Sequence, residues 1–126
     1  MNAPRAIARG EQLLVVCLCA AWCDTCNEFR AAIAGLARAC GEIGFVWLDI
    51  EDDSALVGDV DIENFPTLAV FRGGTPLFYG VTLPLAPVVR RMLDSLRGPD
   101  SRPIGVPPQI EALPTALGER KREAPA

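Results

Sequence analysis

Trp22-Cys23-Asp24-Thr25-Cys26 follows the apolar run Leu13-Leu14-Val15-Val16-Cys17-Leu18-Cys19 and precedes a helical pattern. The run reads as a strand, so the two cysteines stand at a strand-to-helix junction. At that spacing they can close a disulfide within one helical turn. The first sulfur then sits at a helix N-terminus, where unpaired N–H groups and the macrodipole favour a thiolate. A thiolate next to a second thiol is equipped for thiol–disulfide exchange: one attacks, the other resolves. By itself C-x-x-C is a weak signal; in a βαβ context it reads as a redox motif.

That context is present on both sides. Residues 13–19 form a continuous apolar strand, the kind buried on both faces of a parallel sheet. Residues 24–40 form a helix, with Phe29, Ile33, Leu36, Ala37 and Cys40 on one stripe at spacings of three and four. Gly41 and Gly44 bracket its end. Phe45 to Ile50 is the next strand, and a helix between consecutive strands implies a right-handed parallel crossover. Glu51-Asp52-Asp53-Ser54 supplies acidic and capping residues for a short helix over about 54–59. Leu68 to Arg72 and Thr75 to Tyr79 flank Gly73-Gly74 and make an antiparallel hairpin. Pro76 argues that the return strand lies at an edge. Residues 84–97 are a final helix, with Val88, Val89, Met92, Leu93 and Leu96 as its apolar face. Residues 3–10 read as a short lead-in with a helical turn.

Composition narrows the chemistry. The chain has 126 residues, half of them hydrophobic, which suits one domain with one core. Its net charge is −4 and it has no long basic block, which argues against nucleic acid as a partner. It contains no histidine, which excludes His-based acid–base catalysis and His-containing metal sites. Five cysteines are an odd number, and the chain is not a small disulfide scaffold. A reducing compartment, the cytoplasm, fits best. Arg5 and Arg9 before the apolar run imitate a secretory leader, but the run is too short to span a bilayer. Cleavage after Ala20 or Ala21 would remove the strand that leads into the cysteine pair. The run therefore reads as a buried strand, with a signal peptide as the alternative, and no membrane partner is expected.

From Gly98 the composition changes: prolines stand at 99, 103, 107, 108, 114 and 125, and no strong period persists. The division expected is a domain over 1–97 and a proline-rich tail over 98–126, mobile or extended. Ile104, Val106, Ile110, Leu113 and Leu117 are the tail residues able to pack back on the domain.

The order β-α-β-α-β-β-α, with the cysteine pair opening the first helix, resembles the thioredoxin family. The matching residues are Trp22-Cys23-x-x-Cys26, Phe65-Pro66-Thr67 before a strand, Phe71-x-Gly-Gly at the hairpin and Gly80 before the last helix. The resemblance covers about residues 12–97. It implies a thioredoxin-like α/β fold with a central four-stranded mixed sheet flanked by helices. It implies an oxidoreductase acting on protein disulfides and recycled by a reductase, without cofactor or metal. Cys23 would be the nucleophile and Cys26 the buried resolving thiol. Pro66 would be cis and lie against the pair, keeping metal off the sulfurs. The backbone before it would pair with an extended substrate. Trp22 would shield one side, with Phe65 and Thr67 completing the substrate-binding segment.

The departures from the family pattern carry their own expectations. Asp24-Thr25 replaces the usual Gly-Pro between the cysteines, and a carboxylate beside Cys23 disfavours the thiolate against the helix dipole. Cys17 stands where the family often has a buried Asp that relays protons, and Trp47 where its lysine partner stands. Proton transfer then falls to water or Glu28. Ala31 replaces a mid-helix proline, and the short lead-in leaves four strands.

Blander readings stand beside these. Cys17 and Cys19 read as small buried hydrophobes, Cys40 as a helix-end core residue and Trp47 as core. Phe65 has packing against the last helix as its alternative, and Asp24 an ordinary helix-start acid. Two other functions remain open: a non-catalytic binding module of the same shape, and a metal site built from C-x-C-x-x-x-C-x-x-C.

Overall fold

The structure is a computed structural model and describes residues 13–57, 62, 65–98 and 101–123, the side chains of 119–123 excepted. The expected lead-in turn over 3–10 and the end of the short helix at 58–59 lie outside the described residues. Among the described residues four strands form one mixed sheet: β1 (Leu13–Cys19), β2 (Gly44–Asp49), β3 (Thr67–Arg72) and β4 (Thr75–Val81), in the order β2-β1-β3-β4. β1 runs parallel to β2 and antiparallel to β3, and β3 pairs antiparallel with β4. The parallel pair is joined by the 16-residue helix α1 (Asp24–Ala39), as the crossover pattern requires.

β1 is the centre of the molecule, and every other layer follows from its alternation. Leu13, Val15 and Cys17 point into one cluster with Phe29, Ile33 and Leu36 of α1. Val89 and Leu93 of helix α3 (Ala86–Leu96) join the same cluster. Val16 and Leu18 point the other way, toward Leu48, Ala69 and Phe71. Both faces are covered, so an apolar residue at every position of the strand is what the packing demands. The stripe on α1 is buried at Phe29, Ile33 and Leu36, and the helix stops at Cys40, whose N–H still reaches the Leu36 carbonyl.

The β3–β4 connection uses Gly73 and Gly74 at φ of +56° and +88°. Both central residues of this two-residue turn need positive φ, which costs a residue with a Cβ and costs glycine little. β4 is an edge strand, in keeping with Pro76. Its edge is partly covered, because the Ile104 N–H donates to the Pro76 carbonyl at 3.0 Å. The last helix of the sheet domain begins at Ala86, with Pro87 in its first turn, two residues later than the sequence pattern suggests.

The segment after Gly98 departs from expectation. It carries two helices, α4 (Pro108–Glu111) and α5 (Leu113–Glu123), where a mobile or extended tail is expected. Ile110 and Leu113 are fully buried in the second cluster, beside Val57 of the short helix α2 (Ser54–Val57). Each such side chain contributes about 1.5–3 kcal/mol relative to exposure, enough to hold a short segment that has little helical stability alone. The proline content misleads because Pro107 and Pro108 sit at the N-cap and first position of α4, where a missing N–H costs nothing. The second sheet face is thus closed by the chain's C-terminal part.

Candidate active site

The cysteine motif lies where β1 hands the chain to α1. Cys23 is the N-cap residue of the helix, in extended conformation, and its side chain makes no capping hydrogen bond. Its N–H donates to the Ala20 carbonyl at 3.0 Å, and its carbonyl accepts the Asn27 N–H at 3.1 Å. The Cys23 thiol is free and half-buried, while Cys26, one turn into the helix, is completely buried. The chain leading into Cys23 is held from both sides at Ala21. The Asp49 carboxylate accepts the Ala21 N–H at 2.7 Å, and the Asn27 side-chain amide donates to the Ala21 carbonyl at 3.2 Å.

The aromatic and proline residues gather beside this turn. Trp22 is well exposed and meets Phe65 edge-on, with ring centroids 5.6 Å apart. The Phe65–Pro66 peptide bond is cis. Thr67 pairs with Leu18 across β1 and β3, so the next step of that antiparallel register sets Pro66 opposite Cys19. Thr67 is buried, and the Pro66 carbonyl accepts the Thr82 N–H at 3.2 Å. This bond brings the 81–83 segment, with exposed Val81 and Leu83, alongside Pro66.

Cys26 is disulfide-bonded to Cys19, with Cα atoms 5.9 Å apart. The reading of Cys19 as a small buried hydrophobe captures its burial and misses its chemistry. Cys23 and Cys26, the pair expected from the motif, are not bonded to each other in this state. Cys17 is free and buried, and burial pushes its thiol up to about 12. Its register partner on β2 is Trp47. That indole packs against Phe29, with ring centroids 6.3 Å apart, and the Arg30 guanidinium lies 5.4 Å from its ring centroid in a cation–π contact. Cys40 is buried at the far end of α1.

Asp49 is a positioning residue that the sequence reading passes over. Backbone N–H groups of Asp52 and Glu51, with that of Ala21, hold its carboxyl below the usual carboxylate range. The local signal was present: an acidic residue at a strand end before Glu51-Asp52-Asp53 suits a side chain that caps its own turn. Among the described residues no group of three or more Cys, Asp or Glu side chains is placed to hold a metal ion. Nor is any helix among them long and apolar enough to cross a membrane.

A thioredoxin family model matches residues 2–81. Thioredoxin-2 of Saccharomyces cerevisiae is 30% identical over 69 residues, covering 55% of this chain and 66% of that protein. Thioredoxin of Gallus gallus is 28% identical over 67 residues, covering 53% of this chain and 64% of that protein. The chain thus spans just under two thirds of the length of these curated relatives. Among solved structures, Fasciola hepatica thioredoxin superposes with a TM-score of 0.61 at 18% identity, over 74% of this chain and 89% of that one. The germline-specific thioredoxin Deadhead of Drosophila gives 0.60 at 21% identity, over 75% and 90%. With the family model spanning more than half its length and the same fold in its structural neighbours, the chain belongs to the thioredoxin family.

Proposed function

We propose that the protein is a thiol–disulfide oxidoreductase that reduces protein disulfides, with Cys23 as nucleophile and Cys26 as resolving thiol. The observation that carries this reading is the pairing of an accessible thiol at a helix N-terminus with a buried, disulfide-forming sulfur one turn away. Starting from the reduced protein, the Cys23 thiolate attacks a substrate disulfide and expels one substrate thiolate, leaving a mixed disulfide. Cys26 then attacks the Cys23 sulfur and expels the second substrate thiolate. Two electrons pass from the dithiol to the substrate, and a reductase returns them.

Binding is assigned to Trp22, Phe65, Pro66 and Thr67. An extended substrate strand lies against the backbone before Pro66, between the exposed Trp22 ring and the apolar rim of Val81 and Leu83. The buried free thiols of Cys17 and Cys40 suit a reducing compartment, and we assign the protein to the cytoplasm. The test is reduction of a protein disulfide with each cysteine replaced in turn. Cys23→Ser abolishes turnover, and Cys26→Ser accumulates mixed disulfides. Turnover retained in Cys23→Ser would contradict the assignment.

A further inference from the structure

We propose that Cys19 is a third redox thiol, and that Cys26 exchanges its disulfide between Cys23 at the surface and Cys19 in the core. The inference rests on the dithiol reading above and adds a step after it. Three observations carry it. Cys26 is bonded to Cys19, and the Cα separation of 5.9 Å lies within the range that disulfides span without backbone movement. Cys23 is the N-cap of the helix that carries Cys26 three residues later, the C-x-x-C spacing at which two cysteines can close a disulfide. Cys19 and Cys26 are at most 1% exposed, whereas Cys23 is half-buried and free.

One sulfur holds one disulfide, so Cys26 has two partners and uses one at a time. Substrate reduction leaves the Cys23–Cys26 bond. The Cys19 thiolate attacks the Cys26 sulfur, the Cys19–Cys26 bond forms, the Cys23–Cys26 bond breaks, and Cys23 leaves as a thiolate that takes up the proton released by Cys19. No electron is gained or lost in this isomerisation. Its direction follows from burial. A disulfide is neutral and costs nothing to keep in the core, while the ionisable sulfur is moved to the position that water reaches. The reverse step is the way out: an external thiol has no access to Cys19 or Cys26, so Cys23 must reopen the bond before a reductase can act. Cys23 is thus the gate to a protected oxidised state.

The test maps disulfides in the full-length protein, equilibrated in glutathione buffers, quenched in acid and alkylated. Cleavage after Trp22 separates the peptide carrying Cys19 from the one carrying Cys23 and Cys26. A Cys19–Cys26 bond tethers the two peptides, and a Cys23–Cys26 bond does not. The tethered form is expected in at least tenfold excess, with Cys23 alkylated. Cys19→Ser then lowers the equilibrium constant for oxidation at least tenfold, a shift of about 30 mV to higher potential, while still reducing protein disulfides. In Cys23→Ser, the Cys19–Cys26 bond is reduced by glutathione at least tenfold more slowly than in the wild type. A Cys23–Cys26 bond as the sole link in the wild type overturns the relay and leaves the oxidoreductase standing. No reversible disulfide of either kind overturns both.

Discussion

The Asp49 carboxylate accepts the backbone N–H of Ala21 at 2.7 Å, tying the end of β2 to the turn that presents Cys23. The same side chain accepts the N–H groups of Glu51 and Asp52 at 2.8 and 3.0 Å, so one carboxylate fixes two chain segments. Asp49→Ala is expected to lose about 1–2 kcal/mol, as for other side chains that cap exposed backbone donors. The pH dependence has a definite sign. A carboxyl held below its unfolded value contributes stability above that value, near pH 4, and loses it as pH falls through the folded pKa. Urea unfolding of wild type and variant should therefore differ at pH 7 and converge in acid. An undiminished difference at the lowest pH would rule out the charged carboxylate as the cause.

Phe29 anchors α1 to the sheet. It is fully buried and in ring contact with Trp47. Phe29→Ala leaves a cavity beneath the helix that begins at the cysteines, and a loss of about 3–5 kcal/mol is expected in urea titrations. A loss below about 1 kcal/mol would mean that the core near the motif is packed differently.

The C-terminal helices belong to the fold. Leu113 is fully buried with Ile110 against Val16, Leu18 and Phe71. Leu113→Ala should cost about 2–5 kcal/mol. Removing the chain after Gly98 should bare this face and produce dye binding or aggregation, whereas a truncated protein as stable as the full chain would contradict the packing.

The five cysteines should separate by reactivity. Burial raises the Cys17 thiol to about 12, so it resists alkylation at pH 8 in the folded protein. Cys23 is labelled first, as read by peptide mass after brief iodoacetamide treatment. Prompt labelling of Cys17 would show that the strand opens readily. Because the unfolded thiol ionises near pH 9, well before the folded one, stability should also decline as pH rises above that point.

Much of this architecture is legible in the residues. The uninterrupted apolar run of β1 can only be satisfied by cover on both faces. The Gly73-Gly74 pair names its own turn, and the stripe on α1 names the face that meets the sheet. What escapes is whatever depends on distant parts of the chain meeting. Ile110, Leu113 and Leu117 recur at helical spacing, yet proline density hides that spacing until the location of the uncovered sheet face is known. Cys19 is indistinguishable from a small hydrophobe until β1 and α1 are docked, when its sulfur faces that of Cys26. Asp49 acts across 28 positions on Ala21, a link that no local pattern encodes.

The most direct measurement is a thiol count on the purified full-length protein equilibrated across a series of glutathione redox buffers. One reversible two-electron transition is expected, from five thiols to three, in the reducing range near the thioredoxin value of about −270 mV. A count that stays at five under oxidising conditions, or falls without recovering on reduction, would contradict a redox role for these cysteines.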